Sequence, residues 1–459
     1  MLSASDVIAA TGGEAAAGED NRFSGVSIDS RTIKEGDLFF AIKGDRFDGH
    51  DFVKDALKTG GGVVVDKNFK FQISNLKSQK GKAIILVDNT LYALHNLARF
   101  LRKRFGGCVI AVAGSNGKTT TKELISSILG ARLNVLKTEG NLNNHIGMPL
   151  SIAKVSKDTE AMVLEMGTNM PGDVDLLCSI AMPDIGVVTN IGYEHLEGFG
   201  TIERVRDSEL EIIPYVKKLV INADDTFLMG GISMGFKGEL ITFGIKTAEA
   251  DIIAKDISFE DNGTRFVLAA HGEEIEIKSR LAGFFNVYNS LAAAAAAYAA
   301  GMGPEDIKKG LESFGGVNMR FEVKRHKGAV FLNDVYNANP SSMEESLKEL
   351  ERRFGAGKYK RSIAVLGDML ELGGYEVSEH EKLGRRLSEL HADIFIAVGK
   401  AMRHAVGEFK GKCISVGKSE DAGRELGNIM QDGDLVLIKG SRGMKMENVL
   451  EYIMKREVR

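Results

Sequence analysis

The chain has 459 residues, a formal charge of −4 at pH 7, and 44% apolar against 27% charged residues. These values describe a folded chain of about three domains of ~150 residues, and they exclude a disordered protein and any general electrostatic case for nucleic acid. Cys108, Cys178 and Cys413 lie far apart, match no zinc spacing and suit a reducing compartment.

The opening MLSASDVIAATGGE lacks the layout of a signal peptide. The most apolar run, LAAAAAAYAA at 291–300, falls short of the roughly 18 residues that span a bilayer, so a buried helix is expected there. A cytoplasmic chain without a membrane segment follows, and nothing in the pattern asks for more than a monomer. Residues 1–105 alternate short strands with a helix, and LYALHNLARFLRKRFGG at 91–107 reads as a helix ending in glycine before a boundary. From Cys108 to residue 317 the pattern is strand, glycine turn, helix, followed by the strand runs AMVLEMG, DIGVVTNIG and KKLVINADD. Strand-like runs in 251–281 flank the turn EDNG, and the alanine helix closes this second unit. The third unit, 318–459, shows the strands AVFLNDVYNANP, RSIAVLGDM, DIFIAVG and DLVLIKGSRG, each leading into a polar or glycine loop. The expected fold is α/β in three domains: a small N-terminal α/β domain, a central P-loop ATPase-like parallel sheet, and a C-terminal Rossmann-like domain. Ligands of such sheets sit beyond the carboxyl ends of the strands.

AVAGSNGKTT at 111–120 carries the chemistry. Gly117, Lys118 and Thr119 match the end of the Walker pattern, whereas Val112 occupies its first glycine position and Gly114 lies inside the loop. The backbone N–H groups of Gly114, Ser115, Asn116, Gly117, Lys118 and Thr119 are expected to point into a phosphate, with Thr120 continuing the helix start. Lys118 is placed to neutralise β/γ oxygens, and Thr119 to reach Mg²⁺. A lysine in such a turn is hard to explain without an anion. Glu165 and His195 follow neighbouring strands and are candidate metal ligands, against readings as a loop salt-bridge residue and an ordinary loop histidine. Asn141 and Asn144 in NLNNHIGMP offer carbonyls to a metal shell or a substrate, with plain turn propensity an equal competitor. Asp334 at a strand end suits a ribose contact. Arg320 suits a phosphate clamp or an interdomain salt bridge. Together these residues point to ATP-dependent chemistry between domains and leave hydrolase, kinase and ligase open.

The motifs DSRTIKEGDLFFAIKGDRFDGHDF, AGSNGKTT, NLNNHIGMPL, EMG, TNIGYEHLEGFGT, NDVYNANPSSM, LGDMLELG and KGSRGMKME run in order across nearly the whole chain. In them the sequence resembles the Mur ligases, and most closely those that add D-alanyl-D-alanine to UDP-N-acetylmuramoyl-tripeptide. The resemblance implies three domains, with the UDP-sugar end on the first, ATP and Mg²⁺ on the second, and closure by the third. It implies a tripeptide carboxylate phosphorylated by ATP and an acyl phosphate attacked by the dipeptide amine. By resemblance, Thr119 and Glu165 belong to a first Mg²⁺ site and His195 to a second. Asn289 is the adenine-binding asparagine, Asp334 a ribose contact, and Ser30 and Arg31 belong to the UDP-sugar region.

Two positions depart from the family. Glu209 stands where the family often has a carbamylated lysine, so Glu209 is expected to help order the second Mg²⁺, with a surface-helix glutamate as the alternative. Phe285 replaces a histidine before Asn286, which keeps a flat surface near a base but loses imidazole hydrogen bonds. Whether the third acceptor residue is lysine or diaminopimelate is not written in any motif.

Overall fold

The computed structural model describes residues 2–69, 81–232, 236–261 and 263–455. In the first unit Glu14–Ala17, Ala83–Val87, Gly62–Asp66, Leu38–Phe40 and Val26–Ser27 form one five-stranded sheet in that order, parallel except for the first pair. Leu38–Phe40 and Ala83–Val87 are buried at every position, as parallel strands covered on both faces must be.

The nine-stranded sheet of the second unit runs parallel from Val135–Lys137 through Ala161–Glu165, Cys108–Ala113, Ile185–Val188, Lys218–Asn222 and Glu239–Gly244 to Ile252–Glu260. Gly263–Ala270 and Glu273–Ser279 extend this edge antiparallel, as the runs around EDNG implied. Asn262 of that turn lies outside the described residues. Helices Lys118–Leu129 and Phe284–Ala299 pack on one face, and Asp173–Ala181 on the other. The alanine run is a buried helix, with Ala292 to Ala297 at most 1% exposed. It does not close the unit: a further helix, Pro304–Ser313, follows.

The helix expected at 91–107 spans Thr90–Arg104 and ends on an extended Phe105 rather than on glycine. Its Leu94 and Leu97 pack in the first core while Ala98 packs in the second, and Arg102 pairs with Asp184 at 3.0 Å. One helix therefore ties two units together.

The third sheet has the order Glu322–His326, Ala329–Asp334, Asp434–Lys439, Arg361–Gly367, Ile394–Val398, Lys412–Val416, parallel except for the first hairpin. Among the described residues no helix is long and apolar enough to cross a membrane. Pairing in the second sheet sets Glu165 beside Val112 and Val188 beside Ala113. Three strand ends and the loops that leave them thus meet at one place, the turn 114–117.

Candidate active site

Val112 is a fully buried residue inside the strand Cys108–Ala113, which is why the first glycine of the Walker pattern is dispensable here. The turn itself needs its two glycines. Gly114 and Gly117 have φ of +110° and +82°. A Cβ would lie 2.4 Å from Thr189 Oγ1 at Gly114 and 2.1 Å from Asn289 Oδ1 at Gly117.

The expectation that every N–H from Gly114 to Thr119 faces a phosphate needs correction. The Gly114 N–H donates to Glu209 Oε2 at 2.6 Å, Ser115 to the Asn190 carbonyl at 2.8 Å, and Asn116 to Asn190 Oδ1 at 3.1 Å. Buried donors must be satisfied, and the half of the turn nearest the strand is satisfied by protein. The N–H groups of Gly117, Lys118 and Thr119, at the start of helix Lys118–Leu129, have no protein acceptor among the described residues. They form a helix N-terminus open to an anion.

Lys118 folds back over the turn, its Nζ donating to the Gly114 carbonyl at 2.5 Å and lying 3.4 Å from Glu194 Oε2. Burial works against its charge, but the carboxylates of Glu194, Glu209 and Glu165 outweigh burial and raise its pKa. Burial pushes the carboxyl of Glu194 up to about 8, with Lys118 opposing and Glu209 adding to the rise. Glu165 accepts from Asn143 Nδ2 at 2.9 Å through Oε1, while its buried Oε2 has no hydrogen-bond partner.

Burial lowers the pKa of His195, and Lys118 lowers it further, although Glu371 opposes. Its Nδ1 lies 2.5 Å from Glu371 Oε2, a carboxylate from the third unit. A neutral ring donating from Nδ1 keeps its lone pair on Nε2, the arrangement of a histidine held for metal binding. The donor set of Thr119, Glu165, Glu194 and His195 is rich in hard oxygen and fits Mg²⁺ in contact with phosphate oxygens. Among the described residues no three His, Cys, Asp or Glu side chains converge as a ready-made metal cluster. The buried Oε2 of Glu165 and Oε1 of Glu194 have no hydrogen-bond partner among the described residues and are the oxygens a cation would use.

A cavity of about 1010 Å³ opens between the second and third units, and Ser115 to Thr120 line it with Glu165, His195, Asn289, Arg320 and Asp334. Asn141 and Asn144 also line it, yet Asn144 spends its carbonyl on the N–H groups of Ile146 and Gly147, at 3.1 and 2.8 Å. Asn289 lies under the turn, bonded to Asn286 at 2.9 Å and 3.4 Å from the Thr121 hydroxyl. Arg320 reaches across the units: Nη2 donates to Thr119 Oγ1 at 3.0 Å, and the guanidinium stacks 3.9 Å over Tyr336. Asp334 accepts from Lys439 Nζ at 2.5 Å and Ser346 Oγ at 2.8 Å. Phe285 lines the cavity too, but its ring packs edge-on against Phe321, 5.1 Å away. Ser30 and Arg31 belong to the first unit and do not line this cavity; Arg31 is exposed and pairs with Asp29 at 2.7 Å.

Glu209 is neither on the surface nor in the cavity. It is fully buried, taking the Gly114 N–H on Oε2 and the Thr168 hydroxyl on Oε1 at 2.8 Å. Both of its oxygens are thus taken by protein donors beneath the turn. Sequence reasoning passed over Asn143, Glu194, Glu371 and Lys439. Each lies within a quoted motif, but nothing in a motif tells which of three asparagines turns inward.

Three family models match in order: "Mur ligase family, catalytic domain" over residues 22–102, "Mur ligase middle domain" over 112–297, and "Mur ligase, glutamate ligase domain" over 319–442. The UDP-N-acetylmuramoyl-tripeptide--D-alanyl-D-alanine ligase of Bacillus subtilis is 37% identical, over 95% of this chain and 94% of its own. That of Escherichia coli is 30% identical over 95% of both. Among solved structures, MurF from Acinetobacter baumannii superposes with a TM-score of 0.90 at 30% identity, over 99% of both chains. MurF from Thermotoga maritima in complex with ADP gives 0.81 at 32%, over 95% of this chain and 97% of its own. The chain belongs to the Mur ligase family and is a ligase.

Proposed function

We propose that this ligase uses ATP to join D-alanyl-D-alanine to the terminal carboxylate of a UDP-N-acetylmuramoyl-tripeptide, a step of peptidoglycan precursor synthesis. The observation that carries the reading is the single cavity in which Lys118 and Thr119 of the second unit face Arg320 and Asp334 of the third. The names of the relatives above support the substrate pair. In this reading 1–105 holds the UDP-sugar end through Ser30 and Arg31, 106–317 holds ATP, and 318–459 completes the site.

A carboxylate repels an amine's lone pair and has no acceptable leaving group. Its oxygen first attacks the γ-phosphorus, and the bond to the bridging oxygen of ADP breaks. The dipeptide amine then attacks the acyl carbon, the carbon–oxygen bond to phosphate breaks, and the amine gives up a proton. Lys118, Arg320 and the free N–H groups of Gly117, Lys118 and Thr119 stabilise charge on the transferring group. Mg²⁺, with Thr119 and Glu165 among its ligands and His195 serving a second ion, supplies further positive charge there when bound. Closure of the third unit on the second would keep water from the acyl phosphate.

Phosphate release is measured with ATP, Mg²⁺, acceptor and D-alanyl-D-alanine, omitting each in turn, with both lysine- and diaminopimelate-containing acceptors. The expected result is release that needs all four and a product one dipeptide heavier. Release indifferent to the dipeptide refutes the reading.

A further inference from the structure

Three carboxylates, Glu165, Glu194 and Glu209, act on the one ammonium of Lys118. Lys122 lies 3.8 Å from Glu165, but its Nζ is held by the Thr138 carbonyl at 2.6 Å and by Glu123 at 3.0 Å. Among the described residues Lys118 is the only cation paired with Glu194. A buried carboxylate oxygen left without a donor or a cation is strongly unfavourable.

The three carboxylates differ in what their oxygens do. Glu209 has a protein donor on each oxygen and stays beneath the turn. Glu194 is 5% exposed, lines the cavity next to His195, and keeps Oε1 buried with no partner. Glu165 is its counterpart at the end of strand Ala161–Glu165, on the other side of Cys108–Ala113, and is 4% exposed with Oε2 unpartnered. Both residues line the cavity, and each keeps one buried carboxylate oxygen without a hydrogen-bond partner, the kind of oxygen a hard divalent cation takes.

We propose that Glu194 supplies an anionic oxygen to a divalent cation in this pocket, directly or through one water, the task that the family resemblance would give to Glu209. The proposal rests on reading the cavity as a nucleotide site. Glu194 would otherwise be no more than the counter-ion of Lys118, and the two roles separate by experiment.

Mn²⁺ serves as the probe, titrated into the full chain with ADP and followed by electron paramagnetic resonance. ADP binding in the presence of EDTA and the melting temperature are recorded alongside. Glu194→Gln keeps shape and removes charge. It should weaken Mn²⁺ binding at least about tenfold, the scale on which loss even of an outer partner is felt. Metal-free ADP binding should not weaken. Glu209→Gln should hold Mn²⁺ within about twofold of the unsubstituted chain, well below that scale. Glu194→Asp, which keeps the charge on a shorter arm, should fall between, and it carries the test if the Gln variant does not fold. Mn²⁺ affinity unchanged in the Glu194 variants, or lost on replacing Glu209 instead, overturns the proposal. A chain that shows Glu194-dependent Mn²⁺ binding yet forms no amide bond overturns the proposed function and leaves this inference standing.

Discussion

A carboxylate with no solvent exposure needs a donor for each oxygen, and Glu209 has the Gly114 N–H and the Thr168 hydroxyl. Glu209→Ala strands the Gly114 donor inside the protein and should lower stability by about 2–3 kcal/mol. Glu209→Gln can accept from Gly114 and donate to a rotated Thr168 hydroxyl, so its loss should stay below about 1 kcal/mol. Urea unfolding of the pair checks this, and equal losses would show that charge rather than hydrogen bonding matters there. Asp224 is a second heavily used carboxylate. It accepts from the N–H groups of Ile245, Lys246 and Thr247 at 2.7, 2.9 and 2.8 Å, and from the Tyr288 hydroxyl at 2.8 Å. Burial pushes its pKa up, but these bonds prevail and hold it at about 2. A carboxyl lowered by folding contributes stability that is complete above its ordinary value of 3.8 and is lost as pH falls toward about 2. Asp224→Asn should therefore be about 1–2 kcal/mol less stable than the parent at pH 6, with the gap closing between pH 4 and 2 in parallel urea titrations.

At the scale of elements, the helix carrying Lys118 is positioned by how closely its neighbours approach. Gly310 in Pro304–Ser313 packs so tightly that an added Cβ would lie 2.4 Å from Ile128 Cα, and the Gly310 carbonyl accepts from the Ser127 hydroxyl at 2.8 Å. Gly310→Ala must push two backbones apart and should cost about 1–3 kcal/mol, seen as a lower urea midpoint with the slope unchanged. A midpoint equal to the parent's would mean the two helices separate freely. Pro304–Ser313 is also instructive about reading sequence. Its pattern of few apolar and many charged residues sits outside the main run of motifs, and only packing on the phosphate helix shows why it is there. Lys118, Thr119 and Glu165 were legible because strand, glycine turn and helix follow each other in sequence, and pairing register then carries Glu165 to the turn. Glu194, Glu209 and Asn143 were not. Which way a loop or helix-end side chain turns depends on partners such as Gly114 and Thr168 that are far away in the chain. The short edge strands Val135–Lys137 and Lys412–Val416, each lacking a fully buried run, were missed for a related reason.

At the scale of the whole molecule, a set of polar contacts joins the second and third units beside the packing of Phe285 on Phe321. Beside Arg320–Thr119 and Glu371–His195, Asn339 Nδ2 donates to Asn116 Oδ1 at 3.0 Å and the Tyr193 N–H to Ser341 Oγ at 3.0 Å. Polar contacts of this kind let domains move relative to one another. A second contact lies at the rim of the cavity, at the end of strand Ile252–Glu260. There Asp261 pairs with Arg325 at 3.1 Å and Lys358 at 2.9 Å, its carbonyl accepts from Arg353 at 3.1 Å, and Arg352 stacks 3.9 Å over Phe259. The antiparallel extension of the central sheet thus acts as an arm reaching the third unit. Asp261→Ala removes two exposed ion pairs, which contribute about 0.2–1 kcal/mol each. That is too little to unfold either unit, but enough to shift an open–closed equilibrium roughly fivefold. At low salt the variant should scatter X-rays with a larger radius of gyration than the parent, and kcat and KM should change together because closure precedes chemistry. Screening acts on exposed pairs, so about 0.5 M salt should erase the difference by opening the parent rather than closing the variant. Identical scattering at low salt would mean that the arm merely rests on the third unit. A difference that survives high salt would mean that Asp261 holds the arm by something other than its screened ion pairs.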